Sequence, residues 1–172
     1  MEKYVPFGME SKIVKLKSSD GIIREVDVFI LSKSKLLSGL ILDYDGDDEE
    51  IPLNNLDAKN LDLIIQYLEH YKDMEPKEIP NPFPERTDEE FFKGILNDDW
   101  TYDYLNNLTI EELCNLINGA TYLQIDGLIN IISAKLAHEM CNCEVEEARQ
   151  KFGIESDLTE EEIAEIDKYP LD

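Results

Sequence analysis

The sequence predicts an α+β fold built as one compact unit, with a few strands first and mostly helices after them. Three observations predict it. The chain has 172 residues, enough for one domain with a core but too few for two ordinary domains. Val- and Ile-rich runs are concentrated near the start, and capped segments with helical spacing fill most of the remainder. Apolar residues make up 42% of the chain, so it can build a core despite its many acids.

The first predicted element is a β-hairpin around Ser18–Gly21. Asp20-Gly21 lies between two Val- and Ile-rich runs, and Gly accepts the positive φ that a tight hairpin turn requires. In the second run, apolar and acidic residues alternate as in a half-solvated strand. The residues predicted to share its buried side are Ile22, Val26, Val28 and Ile30.

A short helix and an acidic loop are predicted next. Ser34 can cap a helix whose buried side carries Leu37, Leu40 and Ile41. Residues 43–50 contain six acids in eight positions, and such dense like charge predicts a solvated loop.

An edge strand and a helix follow the acidic loop. Ile51-Pro52-Leu53 is predicted to be a brief edge strand, because Pro52 has no N–H to donate to a ladder. Asp57 is predicted to cap the helix after it. The apolar residues of that helix repeat at i, i+3, i+4 and i+7, as Leu61, Ile64, Ile65 and Leu68.

Residues 73–90 are predicted to be a flexible linker or long loop, because four of the seven prolines lie there. Regular structure is expected to resume at Phe91-Phe92. Thr109 and Glu112 then form the capping-box pattern of a helix start, and the same pattern recurs at Thr159 and Glu162.

Two further helices are predicted between those two starts. Asp126 opens the first, and the second runs from Val145 to Phe152 and stops at Gly153. The first is apolar on nearly every side between Leu128 and Met140, which predicts that it is covered on every side. The C-terminal pieces are small, so either they close over a small core or part of this apolar surface is left for another chain.

The helical period leaves the role of Tyr122 open. At about 100° per residue, Leu113, Leu116, Ile117 and Ala120 share one side, and Tyr122 lies roughly opposite. An outward aromatic with polar neighbours would suit a partner anchor. In the alternative interpretation, the helix ends near Gly119 and Tyr122 tucks under the next loop.

Charge and cysteine content restrict the partners and the compartment. The formal charge of −23 would repel nucleic acids and anionic membranes, so the expected partners are proteins with basic surfaces. The three cysteines show no secreted disulfide framework, and no apolar run approaches the roughly 20 residues that cross a bilayer. We expect a cytoplasmic and/or nuclear protein.

No residue pattern indicates catalysis, a cofactor or a metal site. His138, Cys141 and Cys143 offer three ligands where a zinc site needs four, so we interpret the thiols as buried or idle. His70 lies near a helix end, where a cation suits the helix dipole. A Gly-rich phosphate loop and a Gly-x-Ser-x-Gly motif are both absent from the sequence. The chain is therefore predicted to bind rather than catalyse.

Several separated groups of residues form one pattern between about Ile13 and Ile166. The groups are Ser18–Gly21 with Glu25–Val28; Ile65–Tyr67 with His70 and Lys72-Asp73; Ala120–Leu123 with Ile125 and Gly127-Leu128; Glu146-Glu147 with Arg149 and Phe152; and Leu158–Glu162. In this order, and with the acidic loop and Pro-rich segment between them, they resemble the S-phase kinase-associated proteins, which are adaptors of SCF ubiquitin ligases.

The resemblance implies a BTB/POZ-type fold, a small sheet with helices, over residues 12–137. A tail at residues 1–11 precedes it, and a C-terminal helical extension at residues 138–172 follows it. It also implies a non-catalytic adaptor that binds a cullin scaffold, with its RING protein, on one side and F-box proteins on the other. The implied cullin-binding residues are Asn118, Thr121 and Tyr122. The implied F-box-binding residues are Leu128, Ile132, Leu136, Val145, Ala148, Phe152, Ile154, Ile163 and Ile166.

Three departures from the family pattern carry expectations. Thr121 stands where the family has Asn, which predicts a weaker or differently specific cullin contact. Val145 stands where many relatives have Pro, so hydroxylation of that proline is not expected here. Tyr169–Asp172 holds no counterpart of the Trp-containing tail, which predicts a weaker hold on the F-box.

An alternative function also stays open. A BTB-type module can serve self-assembly, kinetochore structure or a transcription-elongation complex without binding a cullin. The elongin-type relatives stop before the helical extension, so residues 145–166 favour the adaptor. A weak homodimer of the free chain is compatible with either function.

Overall fold

A computed structural model of the chain describes residues 12–42, 50–80, 83–84 and 88–155, together with residues 159, 162, 165 and 168. Over these residues, three strands and eight helices form the predicted α+β fold. The predicted tail at residues 1–11, residues 43–49 of the acidic loop, and the site residues Ile163 and Ile166 lie outside the described residues.

The sheet has the strand order β2-β1-β3, with β1 at Ile13–Ser18, β2 at Ile23–Asp27 and β3 at Glu50–Leu53. The antiparallel β1–β2 pair confirms the hairpin, and Gly21 takes the expected positive φ of 82° in its turn. β3 runs parallel to β1 as an edge strand, which confirms the position predicted from Pro52.

The second strand is shorter than predicted. It ends at Asp27, whose side chain accepts a hydrogen bond from the backbone N–H of Phe29 (2.8 Å) and caps a four-residue helix, α1, at Val28–Leu31. Val28 and Ile30 are buried as predicted, but from a helix, and Ile22 is exposed. The alternating pattern predicted a strand through Ile30, but the cap at Asp27 starts a helix there instead. Asp stabilises a helix start more than it stabilises a strand.

The next two helices have the predicted caps. Helix α2 spans Lys35–Leu42, and the hydroxyl of Ser34 accepts from the N–H of Leu37 (3.1 Å). Helix α3 spans Ala58–His70, and its cap Asp57 accepts from the N–H of Asn60 (2.8 Å). Leu61, Ile64 and Leu68 of α3 are buried and Ile65 is half-buried.

Leu40 was predicted to lie on the buried side of α2, and this prediction is wrong. Leu37 is fully buried and Ile41 is half-buried, but Leu40 is 44% exposed. Leu40 lies about 60° from Leu37 on one side of the helix, and Ile41 about 40° away on the other. α2 packs against α1 and against the later helix at Ile110–Leu123, and that contact covers only the side that holds Leu37 and Ile41.

Regular structure resumes before Phe91. Helix α4 spans Glu89–Leu96 and is capped by Asp88, so it begins within the range predicted as a linker. Residues 75–80 form no helix or strand, yet Ile79 and Phe83 pack against the core. The ammonium group of Lys77 also donates to the carbonyl of Gly94 at 3.1 Å. The flexibility of this segment stays a prediction.

The remaining helices are α5 at Asp99–Asn106, α6 at Ile110–Leu123, α7 at Asp126–Cys141 and α8 at Val145–Phe152. Helix α6 lies at the centre and packs against α2, α3, α7 and α8. The capping box of Thr109 and Glu112 begins α6 as predicted. Thr159 and Glu162 make the reciprocal capping-box contacts, N–H to Oε2 at 2.8 Å and N–H to Oγ1 at 3.3 Å.

Helix α7 is not covered on every side. Met140 is 47% exposed, and Asn130 and Ser133 are also exposed, whereas the polar Lys135 and His138 are buried. α7 packs on α6 along one side, and its polar residues turn inward because other helices supply partners for them there. No helix among the described residues is both long and apolar enough to cross a membrane.

Candidate functional site

Two surfaces hold the residues predicted to bind partners. The first, named here the α6 surface, consists of Asn118, Thr121 and Tyr122 near the C-terminal end of α6. Asn118 and Thr121 are exposed, and Tyr122 is half-buried with its ring packed against the core. The hydroxyl of Thr121 donates to the carbonyl of Ile117 at 2.7 Å, within its own helix. The tyrosine thus combines a fixed base with an accessible edge, a geometry that suits an interface anchor.

The structure decides between the two interpretations of Tyr122. Gly119 does not end the helix, since α6 continues to Leu123 and stops at Gln124, which takes a left-handed φ of 55°. Gly119 is buried instead, and a Cβ added to it would lie 2.5 Å from Leu56 Cδ2. Tyr122 therefore belongs to the helix itself, as the first interpretation requires.

Contacts from α2 fix the end of α6 beside this surface. The Ser34 hydroxyl donates to the carbonyl of Leu123 at 2.6 Å, and both residues are fully buried. Lys35 contributes an ion pair with Asp126 at the start of α7. Because Ser34 also caps α2, one hydroxyl joins the start of α2 to the end of α6. The position of Tyr122 is thereby tied to the core.

The second surface lies on α7 and α8, and two of its predicted residues do not reach it. Leu128 and Ile132 are fully buried in the core. They are corrected here from docking residues to core residues that support the surface from below. The family resemblance assigned them to a partner, but packing within the chain's own core leaves their side chains no accessible surface.

The other described residues predicted for this surface retain accessible area. Leu136, Ala148 and Phe152 are half-buried, and Val145 and Ile154 are exposed by 69% and 53%. Met140 was not predicted for this site, yet it is one turn beyond Leu136 on α7 and nearly half exposed. We name as the C-terminal surface the apolar residues Leu136, Met140, Val145, Phe152 and Ile154.

A polar cluster joins α5, α7 and α8. The Lys135 ammonium contacts Asn106 Oδ1 at 2.6 Å and Glu139 Oε1 at 2.5 Å, and Glu139 also pairs with Lys151 of α8. Burial opposes the charge of Glu139, but the hydrogen bonds from Lys135 and Lys151 outweigh it and lower the Glu139 pKa. The spacing of Lys135 and Glu139, four residues apart, was the sequence signal that could have indicated this cluster.

The histidine and the cysteines considered as metal ligands have other surroundings. His138 is buried and stacks on Phe92 with ring centroids 4.4 Å apart, and burial lowers its pKa. The Cys143 thiol donates to the Glu139 carbonyl at 2.6 Å, and Cys141 is exposed. Across the described residues, no group of three or more His, Cys, Asp or Glu side chains could hold a metal ion.

His70 has a structural partner rather than a dipole contact alone. Its Nε2 lies 2.8 Å from Asp98 Oδ2, and its ring stacks on Trp100 with centroids 4.0 Å apart. This contact joins the end of α3 to the start of α5.

Family profiles match two parts of the chain. The profile described as "Skp1 family, tetramerisation domain" matches residues 12–73, which contain the sheet and α1 to α3. The profile described as "Skp1 family, dimerisation domain" matches residues 126–169, which contain α7 and α8. The two matches together cover more than half of the chain, and the second includes every residue of the C-terminal surface.

Curated relatives are similar over most of their length. The S-phase kinase-associated protein 1 homolog of Tetrahymena thermophila is 33% identical over 153 residues, 89% of each chain. SKP1-like protein 17 of Arabidopsis thaliana is 32% identical over 161 residues, and SKP1-like protein 18 of the same plant is 33% identical over 160. Each Arabidopsis match covers 93% of this chain and 95% of the relative.

Proposed function

Because this chain belongs to the Skp1 family, we propose that it is the adaptor subunit of an SCF ubiquitin ligase and bridges a cullin scaffold to F-box substrate receptors. The observation that carries the proposal is the presence of two surfaces on different elements: Tyr122 with the exposed Asn118 and Thr121 at the end of α6, and the accessible apolar residues of α7 and α8. A bridging protein needs two such surfaces, so that both partners can be bound at once.

We assign the α6 surface to the cullin and the C-terminal surface to the F-box receptor. Leu128 and Ile132 support the receptor contact from the core, and Ala148 lies on α8 beside it. The strong negative charge of the chain favours basic surfaces on both partners and speeds their association.

The proposed mechanism is positional rather than catalytic. Holding the receptor and the scaffold at a fixed separation raises the effective concentration of the substrate near the ubiquitin-charged enzyme bound to the cullin through its RING protein. The adaptor supplies no reacting group, so its contribution depends on rigidity between the two surfaces. As part of the same proposal, the complex acts in the cytoplasm and/or the nucleus.

The proposal is tested with charged substitutions, one on each surface. Tyr122→Lys should weaken binding to a cullin N-terminal fragment by about 30-fold or more, since a central interface tyrosine contributes roughly 2 kcal/mol, and leave F-box binding intact. Val145→Lys should have the reverse effect, because Val145 is 69% exposed and leaves the core untouched. Both affinities are measured by calorimetry on the full chain.

Ile22→Lys is the matched control, because Ile22 is an exposed apolar residue at the hairpin turn, distant in sequence from both surfaces. It should change neither affinity. Loss of both partners in a folded Tyr122→Lys variant would show that Tyr122 is assigned to the wrong site. If the unmodified chain, a cullin fragment and an F-box fragment elute as separate species, the adaptor function itself is wrong. Self-association without binding to either partner would favour the BTB assembly module.

A further inference from the structure

We propose that Glu139 is a positioning residue, which orients α8 for receptor binding through a chain of contacts from Asn106 through Lys135 and Glu139 to Lys151. The proposal rests on the proposed function, because it takes α8 as part of the receptor-binding surface. It assigns a role to a polar cluster that the apolar docking surface does not explain.

Helix α8 needs an external constraint to have a defined orientation. It has eight residues, and none of them is buried. Helices this short are unstable in isolation, and packing of an apolar side normally provides their stability. α8 packs against α6, but Phe152 and Ala148 are only half-buried, so this apolar packing fixes α8 weakly. The pair between Glu139 and Lys151 adds a separate constraint, which ties α8 to α7.

Glu139 makes contacts in both directions. Its Oε1 lies 2.5 Å from the ammonium nitrogen of Lys135, and its Oε2 pairs with the ammonium group of Lys151 on α8. Its backbone carbonyl accepts from the Cys143 thiol at 2.6 Å, in the turn between α7 and α8. One residue thus holds both the turn and the far end of α8.

The other end of the chain of contacts is fixed by burial. Lys135 is only 8% exposed, and its ammonium group lies 2.6 Å from Asn106 Oδ1 and 5.6 Å from the centroid of the Phe92 ring. A buried ammonium group requires a charged or polar partner, so Lys135 holds the Glu139 carboxylate in place. The Glu139 side chain is itself only 20% exposed, and that of Lys151 is 40% exposed. Their pair is therefore screened less by salt than a pair of two fully exposed side chains.

The contacts within α8 provide a comparison. Arg149 pairs with Glu146 at 3.3 Å, and both residues belong to α8. This pair can stabilise the helix but cannot orient it relative to α7. Lys151→Gln and Arg149→Gln remove one cation each from the same helix, so they separate orientation from helix stability and from net charge.

The experiment measures amide hydrogen exchange in α8 and receptor affinity in the full chain, with an F-box fragment as the probe. Lys151→Gln should raise exchange in α8 by about fivefold, the upper range for a single ion pair, and weaken receptor binding several-fold. Lys151→Arg should restore both. Arg149→Gln should change affinity less than twofold. In a chain that already carries Lys151→Gln, the further change Glu139→Gln should cause little additional loss of receptor affinity and little additional exchange in α8. Both changes break the same contact.

Three results would overturn the proposal. One is equal loss of affinity in Lys151→Gln and Arg149→Gln, since net charge would then explain the effect. Another is faster exchange in α8 with unchanged affinity, which would leave Glu139 a purely structural role. The last is unchanged exchange in Lys151→Gln. A wild-type chain that binds no F-box fragment would instead overturn the proposed function, and the exchange measurement would still test the orientation of α8.

Discussion

Asp98 shows how much one side chain can organise in this protein. Its Oδ1 accepts from the backbone N–H of Trp100 and so caps α5. Its Oδ2 accepts from the hydroxyls of Thr101 (2.7 Å) and Tyr71 (3.1 Å) and lies 2.8 Å from His70 Nε2. Burial opposes its charge, but these bonds outweigh the burial and lower the Asp98 pKa. One carboxylate thus joins the ends of α3 and α5.

Asp98→Asn is expected to lower the free energy of unfolding by about 1.5–3 kcal/mol, the range for hydrogen bonds to a charged group. Because the folded pKa of Asp98 is lowered, its stabilising effect is complete above the ordinary Asp pKa of about 4 and is lost as the pH falls through the lower folded pKa. The difference in the free energy of unfolding between the wild type and Asp98→Asn should therefore become smaller below about pH 4. Urea unfolding at several pH values checks both expectations.

Asp88→Asn is the matched control. Asp88 also caps a helix, through one bond to the N–H of Phe91 at 2.8 Å. Asn caps a helix about as well as Asp, so this variant should change stability by less than about 0.5 kcal/mol. Equal losses in the two variants would mean that Asp98 acts as a cap alone.

Among single residues, the caps were predicted more accurately than the exposed positions. Ser34, Asp57, Thr109 and Gly153 all cap the helices they were expected to cap. A cap is a contact between neighbours in the sequence, so its pattern is local. The exposure of Leu40 and the burial of Leu128 depend on helices that are distant in the sequence. The helical periods of α2 and α7 could not predict either.

At the scale of elements, α7 begins at a close approach to α3. A Cβ added to Gly127 would lie 2.6 Å from the hydroxyl oxygen of Tyr67 and 2.8 Å from Pro76 Cγ. Tyr67 is buried, and burial raises the pKa of its hydroxyl. The rings of Tyr67 and Pro76 are rigid and cannot move away from an added Cβ at low cost. The start of α7 can therefore lie here only because residue 127 has no side chain.

Gly127→Ala is therefore expected to lower the free energy of unfolding by about 1–3 kcal/mol through overpacking. Chemical denaturation measures the change. Gly94→Ala in α4 is the opposite case, because an added Cβ meets nothing within 4 Å there. It should raise stability by about 0.5–1 kcal/mol, since Ala favours a helix interior. If both variants are stabilised, the approach of α7 to α3 is looser than described.

The order of the predicted elements is correct, but three helices and two boundaries were not predicted. The hairpin, α2, the edge strand, α3, α6, α7 and α8 appear in the predicted order, whereas α1, α4 and α5 were not predicted as helices, and α4 begins inside the predicted linker. The strand predicted through Ile30 ends at Asp27 because a side-chain cap starts α1 at once. Alternating apolar residues continue across that boundary, so periodicity alone could not show it.

At the scale of the whole molecule, the net charge of −23 opposes the compact state. The ion pairs of the described residues, such as Arg24 with Asp62 at 2.6 Å, offset only part of that repulsion, since acids outnumber bases by 39 to 16. Much of the remaining repulsion acts between acidic side chains that are far enough apart for salt to screen it effectively.

Added salt is therefore expected to stabilise the chain. The free energy of unfolding in urea should rise between about 0.02 M and about 0.15 M NaCl, because the screening length falls to about 8 Å. Near pH 5 the rise should be smaller, since protonation reduces the negative charge as the pH approaches the pI of about 4.2. A fall in stability with salt at neutral pH would mean that attractive pairs outweigh the repulsion.

The sequence by itself determined the fold class, the order of the predicted elements, the caps at Ser34, Asp57, Thr109 and Gly153, and the family. These depend on neighbours along the chain and on motifs that keep their order. Only the tertiary structure decided which sides of α2 and α7 are covered, that Leu128 and Ile132 belong to the core, and that Glu139 joins α7 to α8. The physical reason is that burial and ion pairing depend on which distant elements pack together. The helical period of a segment shows which residues share a side, but not which other element contacts that side.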